Sequence, residues 1–260
     1  MAAQTPSDRR PLSRRIADDL RAAILSGDLP AGAVLPSERE IVERYQTTKS
    51  TAGKAVALLL AEGLVRTEFG RGTFVRTRPS LRRISAAQRH AAHRSSGKPV
   101  FDVQAIEQGQ VPSRRMLFVG RLGTPHHAAQ WLKIAPGEQS AVRKRLQLLD
   151  GEPAVLSTSY YPLWLAGGTR LEEPAALPEG PDEFIESLGH RFSHGIEVFT
   201  AQMPSPEEAD TLQLHPGVPV VHMWDVDYDD SERTLQVAHD IYAADRHEFS
   251  YEWNEADIRR

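Results

Sequence analysis

Residues 47–75 read TTKSTAGKAVALLLAEGLVRTEFGRGTFV. The segment begins with polar residues and continues into an apolar run, in which buried-type side chains recur at helical spacing from Ala52 to Leu59. This spacing predicts a helix that ends at Gly63, because glycine easily adopts the left-handed conformation of a helix end. The two β-prone runs that follow, LVRTE and TFVR, predict a short hairpin with Arg71 at the tip of its turn.

The residues before this segment predict two more helices. Apolar residues recur at every fourth position within 11–26, which indicates an amphipathic helix that ends near Gly27. Ser37 lies three residues before Glu40, as in a capping box, and predicts a short second helix that runs to about Tyr45. Three helices followed by a basic hairpin are the elements of a winged helix-turn-helix.

The first turn of the third helix is polar and positively charged. Thr47 or Thr48 caps the helix, and its apolar face is turned inward from Ala52 onward. The exposed residues are then Thr48, Lys49, Ser50 and, one turn further, Lys54. Hydrogen-bond donors and cations at this place suit the end of a recognition helix, because bases are recognised by hydrogen bonds and phosphates are neutralised by cations.

Length and composition limit the class of protein. A chain of 260 residues with 40% hydrophobic content favours two domains. The absence of cysteine excludes disulfides, thiolate zinc sites and cysteine nucleophiles, and agrees with a reducing compartment. No apolar run approaches the ~20 residues of a membrane span, and the N-terminus has no apolar signal core. We therefore expect a cytoplasmic protein.

Formal charge is distributed unevenly along the chain. Residues 1–100 carry 18 basic and 9 acidic side chains, and residues 101–260 carry 13 and 26, which gives the overall net charge of −4. The basic first part indicates a polyanionic partner, whereas nucleic acid would repel the acidic remainder, which favours dimerisation or small-molecule binding. Uneven charge on an ordinary enzyme is the alternative.

At this point the first part of the chain resembles a known family, the GntR-type DNA-binding domain. The resemblance spans residues 11–76 without a gap, and LPSERE, AEGLV and GRGTFV are its most specific parts. It implies that the arginine of SER, the start of the third helix and the wing tip contact DNA. These residues are Arg39, Thr48, Lys49, Thr51, Lys54, Gly70, Arg71 and Gly72.

Two positions depart from the family's usual pattern. The chain has Thr48-Lys49 where the family usually has Ser-Arg, and lysine cannot form the two-pronged contact that arginine makes with guanine, so we expect a different base preference. Gly53 stands where an arginine is common. It costs ~1 kcal/mol of helix propensity relative to alanine and removes a contact, or it allows the helix to lie closer to the DNA backbone.

Residues 77–100 separate the predicted winged helix-turn-helix, 1–76, from a second predicted domain, 101–260. They contain five basic and no acidic residues after Leu81. This composition indicates a flexible connector that follows the phosphate backbone, or a solvated spacer that its charge keeps extended.

The second domain alternates strands and short helices. SAVRKRLQLLDGEPAVLSTSYYP predicts two strands joined at Asp150-Gly151, and VPVVHMWDVDYDDSERTLQVAHDIYAAD predicts two long strands around an acidic turn. PHHAAQWLKI, PDEFIESLG and SPEEADTLQL predict helices, and 196–203 a further strand. Hairpin-connected strands that outnumber helices predict an antiparallel α+β domain.

The polar residues of this domain do not form a known catalytic pattern. His190 and His194 are four residues apart, but glycines flank them and no carboxylate follows at helical spacing, which argues against zinc. Ser157, Ser159, His239 and Asp240 include the residue types of a hydrolytic triad, yet no G-x-S-x-G turn presents either serine. We therefore predict no enzyme and no cofactor.

Strand alternation instead groups polar residues by face. Arg145 and Gln147 share one face, Ser157, Ser159 and Tyr161 share another, and Gln236, Asp240 and Tyr242 share a third. Such residues are either the solvated side of a sheet or converge into a small-molecule site. In the second case the predicted ligand-binding residues are Arg145, Gln147, Ser157, Ser159, Tyr161, Gln236 and Tyr242.

Residues 101–252 resemble the UTRA domain of the HutC branch of the GntR family. The resemblance lies in RLQLLDGEPAVLSTSYYP, LQLHPGVPVVHM and TLQVAHDIYAADRHEF. It implies a chorismate-lyase-like α/β fold that senses a ligand without catalysis. Sugar-phosphate-sensing relatives commonly have Arg-x-Arg where this chain has Arg145-Leu-Gln147, and an acid where it has Gln236. These differences argue against a phosphorylated amino sugar and favour a less charged metabolite, or no ligand.

These resemblances imply a transcription regulator. We expect a homodimeric repressor that binds a near-palindromic operator, with half-sites about one turn apart, and responds to a small-molecule effector. A ligand-insensitive repressor, for example of a mobile element, and an enzyme on the lyase-like fold are the alternatives.

Overall fold

The computed structural model describes residues 10–76, 82–85, 99–174 and 177–251. The chain divides into two compact units, the first built mainly from the residues up to Pro79 and the second mainly from those after it. The predicted boundaries at residues 76 and 100 stay a prediction, because most of 77–100 lies outside the described residues. The part of that range that is described includes a strand, Arg82–Ser85.

The first unit is a winged helix-turn-helix, as predicted. It contains helices α1 (Leu12–Ser26), α2 (Glu38–Tyr45) and α3 (Lys49–Ala61), followed by the antiparallel strands β1 (Val65–Glu68) and β2 (Gly72–Val75). Its core is formed by apolar residues of all three helices, among them Ile16, Leu20, Ile41, Val56 and Leu59.

Local sequence signals determine where these helices begin and end. Gly27 ends α1 in the left-handed conformation, with a φ of 87°. Ser37 and Glu40 form both hydrogen bonds of the capping box at α2, and Thr48 caps α3 by accepting a hydrogen bond from the amide of Thr51. The predicted caps are confirmed, and α3 ends two residues before Gly63.

The second unit is an antiparallel α+β domain, also as predicted. Its helices are α4 (Val100–Glu107), α5 (His126–Leu132), α6 (Leu163–Ala166), α7 (Pro181–Ser187) and α8 (Pro206–Thr211), with a 3-10 helix at Arg170–Glu172. Its strands are β3 (Arg82–Ser85), β4 (Pro112–Gly123), β5 (Gln139–Leu149), β6 (Glu152–Tyr161), β7 (Phe192–Gln202), β8 (Val220–Asp229), β9 (Thr234–Ala243) and β10 (His247–Ser250).

Six of these strands form one antiparallel sheet in the order β4-β5-β6-β9-β8-β7, and β3 pairs with β10 in parallel. The hairpin between β5 and β6 turns at Asp150 and Gly151, which both have positive φ, as a two-residue hairpin turn requires. Strands β6 and β9 are the two central strands, and most of their side chains are buried.

The two faces of this sheet differ in character. Apolar residues such as Val142, Leu146, Leu156 and Val226 lie on one face, which we call the apolar face, and α5 and α8 cover it. We call the other the polar face: it carries Arg145, Ser157 and Asp240, which are direct cross-strand partners, and the residues that alternate with them along each strand.

Some elements differ from the sequence-based prediction. Strand β7 begins four residues earlier than predicted, and neither β4 nor α4 was predicted as a separate element. Leu132 is buried as predicted, whereas Trp131 is only partly buried. None of the described helices has the length and apolar composition needed to cross a membrane.

Candidate nucleic-acid interface and ligand site

The start of α3 exposes the predicted polar residues. Lys49 is 86% exposed, and Ser50 and Lys54 are also exposed. Thr48 and Thr51 are engaged with each other, because the Thr48 hydroxyl accepts the Thr51 amide at 3.3 Å and lies 3.0 Å from the Thr51 hydroxyl. The lysines and Ser50 are therefore the side chains that this turn presents most freely.

Carboxylates of α2 lie beside the cations of this surface. The guanidinium of Arg39, 87% exposed, donates to Glu43 at 3.0 Å. The ammonium of Lys49 lies 4.0 Å from a carboxylate oxygen of Glu38. The same Glu38 covers Gly53, where an added Cβ would lie 3.2 Å from the carboxylate. The sequence-based interpretation named the cations but missed both acids.

The wing is a tight turn with a basic tip. Gly70 and Gly72 have φ values of 72° and 116°, which only glycine adopts without strain, and they flank Arg71. Arg71 is 72% exposed and forms an ion pair with Glu68, and Arg66 binds the same carboxylate at 2.8 Å. Phe69 beside them is fully exposed. It was not predicted as a site residue, although it lies within the FGRG turn.

Exposed ion pairs of this kind contribute little to stability, so these cations remain available to a stronger anion such as DNA phosphate. That Arg39, Lys49, Lys54 and Arg71 contact DNA stays a prediction. All four side chains are exposed, Arg39 on α2, the two lysines in the first turns of α3 and Arg71 at the wing tip, and this agrees with the prediction.

In the second unit, the predicted ligand-binding residues lie on one face of one sheet. The sequence-based interpretation assigned them to three faces, because alternation within a strand cannot show which strands are neighbours. The pairing of Arg145 with Ser157, and of Ser157 with Asp240, places the three groups on the polar face. The predicted set on this face is Arg145, Gln147, Ser157, Ser159, Tyr161, Gln236 and Tyr242.

Hydrogen bonds connect several of these side chains. Arg145 donates to the Ser159 hydroxyl at 3.1 Å. The Tyr242 hydroxyl donates to Oδ2 of Asp240, and the Gln236 amide donates to Asp227, each at 3.2 Å.

Other polar groups of this face lack such bonds. Ser157 is 0% exposed, and its hydroxyl has no hydrogen-bond partner among the described residues. The same is true of Oδ1 of Asp240. Gln147 is buried opposite Val155. The face therefore holds both satisfied and unsatisfied polar groups.

Burial determines the ionisation of this face. It raises the pKa of Tyr161 to about 12, so the phenol is neutral and can donate a hydrogen bond. Burial also lowers the pKa of Arg143, which was not predicted as a site residue. Arg143 donates to the backbone carbonyls of Leu171 at 3.1 Å and Glu173 at 2.8 Å, so it holds the segment around the 3-10 helix against the sheet.

Apolar clusters border the polar face at both ends. At one end Phe101 and Ala105 of α4 pack with Val155 and Tyr242. At the other end residues of α6, α7 and the 3-10 helix pack around Tyr161. The polar groups around Ser157 and Ser159 thus lie between two apolar walls, as in small-molecule sites.

The residue types of a hydrolytic triad are not assembled. Thr158, not Ser157 or Ser159, is the cross-strand partner of His239, so both serines lie on the polar face and His239 on the apolar face. Within the described parts of the chain, no group of three or more His, Asp or Glu residues has an arrangement that could hold a metal ion.

A histidine pair lies on the apolar face instead. Nδ1 of His222 is 2.9 Å from Nε2 of His239, and the ring of His239 stacks on Trp224 at a centroid distance of 4.0 Å. Nε2 of His222 lies 3.1 Å from the Gln202 amide and 3.6 Å from Glu208 of α8. Burial first, and then the neighbouring His222, lower the pKa of His239 to about 4.

Comparisons with known proteins match both units. Residues 12–75 match the model of bacterial regulatory proteins of the gntR family, and residues 107–248 match the model of the UTRA domain. The second match alone covers more than half of the chain.

Similar proteins include named transcription regulators, and the matches extend over nearly the whole length of both chains. An uncharacterized HTH-type transcriptional regulator of Streptomyces coelicolor is 29% identical over 255 residues, which cover 96% of this chain and 95% of the relative. The HTH-type transcriptional repressor NagR of Bacillus subtilis is 26% identical over 241 residues, which cover 92% and 93%. A solved structure of the GntR family is 29% identical with a TM-score of 0.72, and the match covers 94% of this chain and 98% of that one. PhnF of Mycobacterium smegmatis, 22% identical with a TM-score of 0.57 over 92% and 99%, shares the fold.

Proposed function

The chain belongs to the GntR family of bacterial transcription regulators and carries a UTRA domain, and from this membership we propose that it is a repressor whose affinity for its operator is controlled by a small molecule. The observation that carries the proposal is the combination of a polar, basic helix start and wing in the first unit with a bordered polar sheet face in the second. The relative NagR, named a repressor, supports the direction of regulation.

We propose that the chain acts as a homodimer on a near-palindromic operator in the cytoplasm. Two copies of α3 enter adjacent major grooves about one helical turn apart, where Lys49, Ser50 and Lys54 meet bases and phosphates. Arg71 at the wing tip contacts the backbone beside each half-site. A two-fold protein matched to a two-fold site doubles these contacts.

The ligand acts on this equilibrium through the second unit. It binds the polar face and changes operator affinity only as far as it binds the DNA-competent and DNA-incompetent arrangements differently. A metabolite that changes the operator affinity therefore identifies a sensor. For a ligand-insensitive repressor, no metabolite changes the melting temperature or the operator affinity. Turnover of a metabolite by the purified chain would instead support the enzyme alternative.

The test is to incubate the purified full chain with fragmented genomic DNA of its source at near-physiological salt and to sequence the retained fragments. We expect a small set that shares a palindrome, and the genes beside it nominate ligands. Uniform, salt-sensitive retention of all fragments contradicts a sequence-specific regulator, because phosphate contacts alone carry no base information.

A further inference from the structure

We propose that the ligand of the polar face is a small zwitterion of the amino acid class, which carries a protonated amine and a carboxylate. This inference rests on the proposed function, in which the second unit senses a small molecule. It concerns the chemistry of that molecule, which the polar face itself specifies.

Charges of opposite sign lie on opposite halves of the polar face. The arginines lie on β4 and β5, and they are Arg114, Arg121, Arg143 and Arg145. The carboxylates lie on β7, β8 and β9, and they are Glu197, Asp225, Asp227 and Asp240. Strand β6 runs between the two halves and contributes neutral hydroxyls, Ser157 and Ser159. A ligand that lies across β6 therefore meets a positive field at one end and a negative field at the other.

On the basic half, Arg145 is the side chain available to a ligand. Arg114 forms an ion pair with Asp102, Arg121 forms one with Glu172, and Arg143 donates to backbone carbonyls. Arg145 is half-buried, and its contact within the described residues is the neutral hydroxyl of Ser159. A carboxylate of the ligand would give this guanidinium the charge-assisted hydrogen bonds that it lacks.

On the acidic half, Asp240 is the corresponding group. Its Oδ2 accepts from Tyr242, whereas its buried Oδ1 has no partner in the described parts of the chain, and neither has the buried hydroxyl of Ser157 directly opposite. A buried carboxylate oxygen without a donor is costly, and a ligand that brings a donor to it removes that cost. A protonated amine donates three hydrogen bonds and can serve Asp240 and Ser157 together.

Arg145, Ser157 and Asp240 form a row across three strands, and the length of this row limits the ligand to a small molecule. Neighbouring strands lie about 4.8 Å apart, so the backbones of Arg145 and Asp240, two strands apart, are about 10 Å apart. Both side chains lie on the same face as Ser157, which is the direct cross-strand partner of each of them. Met116 and Met223 continue the row on either side and offer adaptable apolar contact to a side chain.

The assignment also revises the expectation drawn from Gln236. The absence of an acid at that position, together with Gln147, argued against a phosphorylated amino sugar. Asp240, four residues further along β9 and on the same face, supplies the carboxylate.

The first test measures thermal unfolding of the full chain with the twenty free amino acids as probes, each beside its N-acetyl and its carboxamide derivative. We expect at least one free amino acid to raise the melting temperature, and both of its derivatives to bind at least tenfold more weakly. Equal binding of a derivative overturns the zwitterion. Sugar phosphates and neutral sugars are tested in the same assay. The zwitterion is also overturned if these sugars stabilise the chain and no amino acid does, or if none of the compounds stabilises it. If the same preparation still retains a small set of genomic fragments selectively, the proposed DNA-binding function holds and only the ligand assignment fails.

Variants then test the basic and the acidic partner of the ligand separately. Arg145→Met should bind the free amino acid and its carboxamide alike, because the carboxylate has lost its partner. Asp240→Asn should bind the free amino acid and its N-acetyl derivative alike. Arg115→Met, on the opposite face of β4, and Asp230→Asn, exposed at the β8–β9 turn, should keep both discriminations. The assignment is overturned if Arg145→Met still binds the carboxamide more weakly than the free amino acid, or if Asp240→Asn still binds the N-acetyl derivative more weakly.

Ser157→Ala supplies a measurement that does not depend on ligand binding. It removes a buried hydroxyl that has no partner in the described parts of the chain. We therefore expect the ligand-free melting temperature to rise by a few degrees, while the response to the amino acid falls at least tenfold. A fall in the ligand-free melting temperature shows that the hydroxyl has a structural partner and contradicts its role in the site.

Discussion

Three of the four cations that we expect to face DNA lie beside a carboxylate of their own unit. Lys49 lies near Glu38, Arg39 near Glu43, and Arg71 near Glu68. A phosphate that approaches these cations has to compete with the internal acid. Operator affinity is therefore set as much by the acids as by the lysines and arginines.

Arg71→Glu should lower operator affinity about tenfold, which is ~1.4 kcal/mol per site. The substitution removes the cation of the wing tip and places a second carboxylate beside Glu68. Fluorescence anisotropy with a labelled operator measures the effect. The complementary variant Glu68→Gln should raise the affinity, because it frees Arg66 and Arg71 from their internal partner.

Arg191→Glu serves as a control for net charge, because Arg191 is exposed in the second unit and not in the wing. It should leave the affinity within about twofold. If Arg71→Glu also leaves it unchanged, the wing does not contact the operator.

Gly53→Ala should stabilise the first unit by up to ~1 kcal/mol without changing operator affinity. Alanine has the higher helix propensity, and its Cβ would meet only the mobile end of the Glu38 side chain. Because that carboxylate covers Gly53, we expect no close approach of the DNA backbone there. Chemical denaturation measures the stability, and a tenfold loss of affinity would show that the glycine is needed for contact.

A reverse substitution in the same helix provides the control. Ala57 is exposed one turn further along α3, and Ala57→Gly should cost about 1 kcal/mol. No loss at Ala57 would mean that helix propensity does not limit the stability of this unit.

Secondary-structure elements with strong local signals were predictable. The capping box at Ser37 and the Asp150-Gly151 turn each depend on residues that are adjacent in sequence, and both form. Strand β4 escaped prediction because the pairing register shifts between Met116 and Phe118, so that alternation along the strand is interrupted. A bulge of this kind is determined by the neighbouring strand, which a single-strand pattern does not include.

The polar residues of each strand could be grouped from the sequence, but their assembly into one face could not, and their role in ligand binding stays a prediction. Alternation placed Arg145, Ser157 and Tyr242 among the polar side chains correctly, yet it could not join three strands into one face, because strand order is a long-range property. Asp240 was assigned to that pattern without a role, since its unpaired oxygen is visible only in the packed sheet.

The histidine pair on β8 and β9 should make the second unit less stable in mild acid. The pKa of His239 is about 4 in the folded chain against 6.5 ordinarily, so the unfolded chain binds a proton more readily. The contribution of His239 to the free energy of unfolding is therefore fully present above pH 6.5 and is lost as the pH falls toward 4. The loss is up to about 3 kcal/mol. Denaturation followed by tryptophan fluorescence at several pH values measures it, because all four tryptophans lie beyond residue 130.

His239→Gln should reduce this pH dependence, whereas His126→Gln, at an exposed position on α5, should leave it unchanged. The same loss of stability in His239→Gln as in the unmodified chain would assign the effect to another group.

Across the whole molecule, the two halves of the chain carry opposite net charge, and DNA binding should depend on the basic half. If each dimer makes six or more phosphate contacts, operator affinity should fall by about a thousandfold or more between 50 and 200 mM salt. Anisotropy titrations over this range give the slope of log affinity against log salt. Lys49→Ala should reduce the slope by about one per protomer if Lys49 contacts phosphate.

A change of less than tenfold over this range contradicts extensive phosphate contact. If Lys49→Ala keeps the slope but reduces discrimination against a scrambled duplex, Lys49 contacts a base.

The buried hydroxyl of Ser157, which has no hydrogen-bond partner among the residues that the structure describes, has an evolutionary consequence. Since alanine at this position would make the fold more stable and the site less responsive, random mutation followed by selection for stability alone drives the chain toward a regulator with a fixed output. Sensing in this fold is thus easily lost and has to be maintained by selection for the response. We therefore expect relatives that keep the ligand response to keep a hydroxyl at this position, and relatives released from that selection to accumulate alanine there.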